Sequence, residues 1–383
     1  MKLSNVYRVG SNEEVDIHIS GGLIVDATDV HDDNTQLVFN DAVIFPGLIN
    51  SHDHLDFNLF SQLGDRQYQN YTEWGNYIHK KYPQEIAAVL NVPQNLRTQW
   101  GVYKNLLCGV TTVVNHGEQL PISNSPVTIL DNCQSLHSVQ FEKQWKRRLN
   151  NPLRKNMPVV IHTGEGIDKA AETEIDQLIN WNLLHREMIG VHGVAMTPRQ
   201  AKEFKALVWC PQTNYFMLGV TAPVNRLKNY TQVLFGTDST LTGDWNIWEH
   251  IRTARKAGYL DDQELYNDLT ISAAKTWELN AGIIASGRDA DIVVARLKGA
   301  PNTIENLLSI GPADILLVIH KGNIRLFDEI LYSQLNQLPK QNFSKIRIGG
   351  VYKYVYGDLP KLMADIKRYY TDAQFPVHCT CHN

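Results

Sequence analysis

The sequence predicts an α/β protein: a somewhat distorted (β/α)8 TIM barrel carrying a small β-sandwich built from both chain ends. Three observations point there. Across residues 46–280, eight apolar strand-like runs alternate with helical stretches, the texture of repeating β/α units in a parallel sheet. Both ends are rich in short β-like pieces separated by turns. Several central strands run directly into a histidine or an aspartate, at the C-terminal rim where barrels gather their polar groups. With 383 residues, the chain has room for a barrel of about 250 residues and a second module.

Residues 1–45 are assigned to the N-terminal part of the sandwich. Residues 15–19, 23–25 and 37–39 read as strands, separated by turns at Gly21-Gly22 and Asp32-Asp33-Asn34. The barrel spans residues 46–280 and is entered by a strand over 43–51. Further strands are expected at 111–115, 127–130, 138–141, 158–162, 189–192, 208–210 and 233–236. Helices are expected at 73–80, 172–184, 198–207, 247–257 and 262–279, the last opened by an acidic cap. Between Thr111 and His162 about fifty residues must hold three strands, fewer than βαβ units use, so the third unit should lack a proper helix. Residues 281–383 return to the sandwich through 290–295, 315–322 and 346–352 and end in an extension.

Composition narrows the partners. The chain is 43% hydrophobic and 20% charged with a net charge of -4, which offers no basic surplus for nucleic acid. It has no run of about 18 apolar residues and no basic and apolar leader after Met1, so no membrane partner and a cytoplasmic location are expected. Cys108, Cys133, Cys210, Cys379 and Cys381 are odd in number and scattered, which predicts reduced thiols. The tail His378-Cys379-Thr380-Cys381-His382 is spaced too tightly for a finger or ribbon site and reads as a frayed end.

The residue pattern with most chemistry in it is His52-Asp53-His54, after the apolar run 43–49. Alternate residues of a strand share a face, so His52 and His54 can hold one metal ion between them. His162, His192 and Asp238 each follow an apolar strand in the same way. Any one of these alone would read as a hydrogen-bonded structural residue, but five at one rim point to a metal site.

The order His52-x-His54, His162, His192, Asp238, preceded by Pro46-Gly47-Leu48-Ile49, resembles the amidohydrolase superfamily of metal-dependent hydrolases. Gly109-Val110-Thr111-Thr112-Val113 is similar to that superfamily's second strand, and Gly287-Arg288-Asp289-Ala290-Asp291-Ile292 to its return into the sandwich. His162-Thr163-Gly164-Glu165, Cys210-Pro211-Gln212-Thr213-Asn214 and Gly236-Thr237-Asp238-Ser239 resemble the cytosine/guanine deaminase and chlorotriazine hydrolase branch. That resemblance implies one divalent ion, Zn²⁺ or Fe²⁺, on His52, His54, His162 and Asp238. It also implies attack of activated water on a heterocyclic carbon bearing nitrogen. Glu165 would shuttle the proton, and His192 would polarise the substrate or stabilise its developing charge.

Substrate contacts are expected from His116, Glu118, Asn214 and Trp74. The aromatics Phe57, Phe60, Tyr68, Tyr71, Tyr77, Trp245 and Trp248 are candidates for stacking a flat ring or for packing under loops. Cys210 reads as a small buried apolar residue. Glu142 and Lys143, after the fourth predicted strand, leave a two-metal variant open. The expected activity is deamination of a purine, pyrimidine, pterin or triazine, with water and that small heterocycle as partners. Alternatives are ring opening of a cyclic amide such as an imidazolone, or a non-catalytic scaffold. A homodimer is a fair expectation for such barrels.

Overall fold

The computed structural model describes residues 1–29, 35–118, 122 and 124–379. The chain begins with β1 (Lys2–Arg8), β2 (Glu14–Ser20), β3 (Leu23–Val25) and β4 (Gln36–Pro46). Then come β5 (Leu48–Asp53), β6 (Val110–Asn115), β7 (Thr128–Leu130), β8 (Gln134–Ser138), β9 (Val159–Thr163), β10 (Met188–His192), β11 (Ala206–Trp209) and β12 (Gln232–Phe235). It ends with β13 (Ile292–Arg296), β14 (Ile315–His320), β15 (Asn323–Asp328), β16 (Phe343–Ile348), β17 (Val351–Tyr356) and β18 (His378–Cys379).

The two chain ends share one ten-stranded sheet, in the order β18-β16-β17-β15-β14-β13-β4-β1-β2-β3. Its described pairings are antiparallel except for β1 with β4. The turn expected at Asp32-Asp33-Asn34 lies outside the described residues. So do Thr380, Cys381 and His382 of the tail, whereas His378 and Cys379 pair with β16.

The central strands are parallel, in sheets β5-β6-β7 and β8 to β12, and Asp53 and Asp238 join the two through a parallel bridge. Their residues are almost all buried, as strands of a parallel sheet covered on both faces must be. Only three residues separate β7 from β8, so the third unit has no helix, as its length required.

Four expectations shift, each for a local reason. The strand over 43–51 breaks at Gly47, where a Cβ would stand 2.2 Å from Thr111 Oγ1. The fourth strand is Gln134–Ser138, and 138–141 is a turn in which Ser138 Oγ accepts the Phe141 N–H. The helix over 198–207 is only Pro198–Ala201, because Ala206–Trp209 forms β11 between β10 and β12. The helix over 262–279 divides into Asp262–Asp268 and Ile271–Thr276, and the Leu269 carbonyl at the break accepts Ile49 N–H of β5. Residues 247–257 form the expected helix Ile247–Ala257, capped by the Asn246 side chain and ended by Gly258 at φ 68°. No helix among the described residues is long and apolar enough to cross a membrane.

Candidate metal centre and cavity

Four side chains from the ends of three strands meet at one point. His52 lies in β5 and His54 just past its end, on the same side of an extended chain. His162 lies in β9, and Asp238 follows β12 with φ 58°, a left-handed conformation costly for a non-glycine residue. His162 Nε2 is 3.1 Å from His52 Nε2 and 3.3 Å from His54 Nε2. Asp238 Oδ1 lies 3.5 Å from His52 Nε2 and 3.4 Å from His54 Nε2. These four residues form a group able to hold a metal ion.

The spacing suits zinc, whose tetrahedral ligands at about 2.0–2.1 Å stand roughly 3.3–3.4 Å from one another. Burial lowers His54 to about 4 and His162 well below the ordinary imidazole value, so both are neutral. Imidazole lone pairs crowded this closely repel unless a cation takes them. Burial alone would raise the Asp238 carboxyl, but the hydrogen bond from His52 and the surrounding imidazoles hold it below the usual carboxylate range. The Thr213 and Thr242 hydroxyls each donate to its other oxygen at 3.1 Å.

Glu165 follows β9 and is buried. Burial, reinforced by the charges of Asp238 and Glu174, raises its carboxyl well above the ordinary range, so it carries a proton. Glu174, in the helix Lys169–Trp181, accepts the Gly164 N–H at 2.9 Å and the Tyr71 hydroxyl at 3.1 Å. Burial pushes Glu174 up to about 7. It ties the turn that carries Glu165 to the helix Tyr71–Lys81.

His192 ends β10 at φ 71°, with Nε2 3.5 Å from Glu165 Oε1. A chain of hydrogen bonds fixes its tautomer. Trp209 can only donate, and its indole N–H is 2.6 Å from Thr221 Oγ1. Thr221 therefore donates onward to Asn214 Oδ1 at 3.1 Å, which turns Asn214 Nδ2 toward His192 Nδ1, also at 3.1 Å. Nδ1 accepts, so the ring proton sits on Nε2 and faces the site. Burial brings His192 down to about 3, keeping it a neutral donor. Asn214→Asp would set a carboxylate oxygen against Nδ1 and draw the proton there. Turnover should fall roughly 10–100-fold with metal content unchanged, and ¹⁵N spectra of the imidazole should report the switched tautomer.

A cavity of about 400 Å³ opens onto this cluster, and its wall includes His54, His162, Glu165, His192 and Asp238. Trp74 is in the wall as expected, with Phe57 and Tyr71. The other three expected substrate contacts lie outside the wall. Asn214 is fully buried in the chain behind His192 and is not part of the wall. Glu118 is exposed and outside the wall, and its backbone carbonyl accepts from the Asn115 side chain. His116 is buried outside the wall, stacked on His162 with ring centres 4.2 Å apart and neither ring nitrogen partnered.

Phe60 and Trp245 line a separate hollow, Tyr68 and Trp248 are core, and the Tyr77 hydroxyl is on Asp65. Glu142 accepts the His137 N–H and pairs with Arg148, and the metal group contains neither Glu142 nor Lys143. Cys210 is fully buried.

His137, at the end of β8, lines the cavity and was not among the expected site residues. The strand-then-histidine pattern marks it once the strand is placed correctly. Behind the metal ligands lies a second unexpected group. Buried Lys104 donates to Asp53 at 2.9 Å, Asn58 at 3.1 Å and Thr237 at 3.2 Å.

The amidohydrolase family model matches residues 148–325. The 5-methylthioadenosine/S-adenosylhomocysteine deaminase of Pyrococcus abyssi is 26% identical over 168 residues, covering 38% of this chain and 39% of that protein. That of Pyrococcus furiosus is 23% identical over 327 residues, covering 67% and 75%. The chain thus matches well under half the length of the first of these relatives. Among solved structures, a zinc-bound adenosine deaminase from Xanthomonas campestris superposes with a TM-score of 0.70 at 17% identity, covering 97% of both chains. A zinc-bound atrazine chlorohydrolase from Arthrobacter aurescens TC1 gives 0.67 at 16% identity, covering 96% of this chain and 99% of that one. These likenesses show a shared fold.

Proposed function

We propose that this chain, whose residues 148–325 match the amidohydrolase family model, is a metal-dependent aminohydrolase of that superfamily. It acts on a non-peptide C–N bond, removing the exocyclic amine of a heteroaromatic ring as ammonia. The observation carrying this reading is the convergence of three imidazole nitrogens and one carboxylate in a cavity that the buried Glu165 carboxyl also lines. In the proposed frame, residues 46–280 close into a distorted (β/α)8 barrel, and residues 1–45 and 281–383 form a β-sandwich with a C-terminal extension. A cytoplasmic homodimer fits the same reading.

His52, His54, His162 and Asp238 would hold one Zn²⁺ or Fe²⁺. Such an ion, when bound, supplies Lewis acidity and lowers the pKa of water to about 7. The remaining chemistry falls to the chain's own side chains. Glu165 delivers its proton to the ring nitrogen or departing amine and recovers one from the attacking water. His192 directs its Nε2–H at the charge that develops on the substrate. Phe57, Tyr71 and Trp74 give the ring a flat apolar seat. The deaminase activities named for the Pyrococcus relatives support this assignment.

Metal analysis coupled to an ammonia-release screen of purines, pyrimidines, pterins and triazines tests it. One metal ion per chain is expected, with ammonia release that stops on chelation and returns with zinc. Asp238→Asn should lose both metal and activity. A fully metallated protein that releases no ammonia from any of these rings would overturn deamination in favour of ring opening.

A further inference from the structure

The wall of the cavity constrains what the substrate carries beyond its reacting ring, and this step rests on the proposed deamination. Away from the metal ligands the wall is mainly Phe57, Trp74, Ile78, Phe141, Met217 and Leu241, with Asn76 and Ser239 as small uncharged polar members. Other wall residues with polar tips spend them elsewhere. The Tyr71 hydroxyl is on Glu174, and the Trp74 indole N–H is 2.8 Å from the Leu63 carbonyl. His79 directs Nδ1 at the Gly75 carbonyl, and burial lowers the His137 imidazole toward its neutral form.

No lysine or arginine lines the cavity, and none of the residues outside the described set is a lysine or an arginine. Three basic residues of the surrounding elements are already paired, and Lys80 of the helix Tyr71–Lys81 is exposed and outside the wall. Arg66 meets Glu73, Lys81 meets Asp65, and Lys104 is buried on Asp53. The acidic residues next to the cavity are Glu165, Asp238 and Glu174, and none of them offers an anion a partner of opposite charge. An anionic substituent held away from the metal ligands would leave water and find no lysine or arginine in the wall to replace it.

We infer that the substrate is an uncharged amino-heterocycle bearing a compact apolar substituent, such as a thioether or alkyl group. Phosphate- and carboxylate-bearing analogues of the same ring are turned away.

Matched pairs presented to the zinc-loaded full chain test this. They are adenosine against adenosine 5′-monophosphate, and S-adenosylhomocysteine against an uncharged alkylthio analogue of the same length, with equivalent neutral and carboxylate pairs on guanine, cytosine and triazine rings. Ammonia release should show kcat/KM at least 100-fold higher for the neutral member of whichever ring is accepted. Phe141→Arg adds a cation at a wall residue that is already half exposed, and it should narrow that ratio at least tenfold. A charged member turned over as well as its neutral partner would overturn the inference alone. So would a ratio that Phe141→Arg leaves unchanged. No ammonia from any pair, with metal bound, would remove the deamination reading and this inference together.

Discussion

Glu165→Gln should lower turnover about 10³-fold while leaving the bound metal in place. Glu165 is not one of the four residues whose ligand atoms converge, so its loss takes no donor from the metal. Glutamine fills the same buried space and can still donate a hydrogen bond, but it cannot take up and release a proton within one turnover. The pH profile separates these roles. A carboxyl raised by burial stays protonated as the pH climbs past the ordinary carboxylate range, and its donor function fades as it ionises. Wild-type turnover should therefore decline on the alkaline side, and the residual activity of the variant should lack that decline. Turnover at the wild-type level with glutamine in place would move the proton work to another group of the cavity wall, such as Asp238.

The four converging residues are legible in the sequence because each follows an apolar run, and a parallel strand delivers the residue at its end to one side of the sheet. His52, His54, His162 and Asp238 all obey this rule. His137 obeys it too, but Gln134, Ser135 and Leu136 make a poor apolar run while Val139 and Phe141 make a better one. Burial of β8 comes from its pairing with β9 rather than from its own composition. Ala206 to Trp209 are apolar at every position, which suits a buried strand and a buried helix equally.

Asn214, Glu174 and Lys104 act through neighbours far away in the chain, so no local pattern announces them. Asn214 shows how function is misread in consequence. Its place shortly after β11 suggests a substrate contact, yet the donor-only indole of Trp209 sets its amide the other way round and commits it to His192. Polarity of that kind is a property of the folded neighbourhood.

The largest stability effect is expected at a residue that touches neither metal nor cavity. Lys104, in the helix Gln94–Leu107, is 1% exposed and places all three ammonium protons on Asp53, Asn58 and Thr237. Asp53 sits between His52 and His54, and Thr237 precedes Asp238, so the ammonium binds the backs of two ligand-bearing segments together. The same carboxylate accepts from Asn58 at 2.8 Å and Asn105 at 2.7 Å, while Asn50 bridges Asn105 and Thr237. Lys104→Met keeps most of the side-chain volume but strands Asp53 as a buried carboxylate without its counter-charge, a loss of about 3–5 kcal/mol. Lys104→Met/Asp53→Asn removes the stranded charge and should recover part of that loss, since an intact buried pair adds little net stability over a neutral replacement. Calorimetric unfolding of the metal-free proteins measures both. Zinc release to a chromophoric chelator then reads the consequence at the site, where Lys104→Met should let the metal go roughly 10–100-fold faster than wild type. If unfolding and zinc release both match wild type, the ammonium is a passenger and the ligands are held by their strands alone.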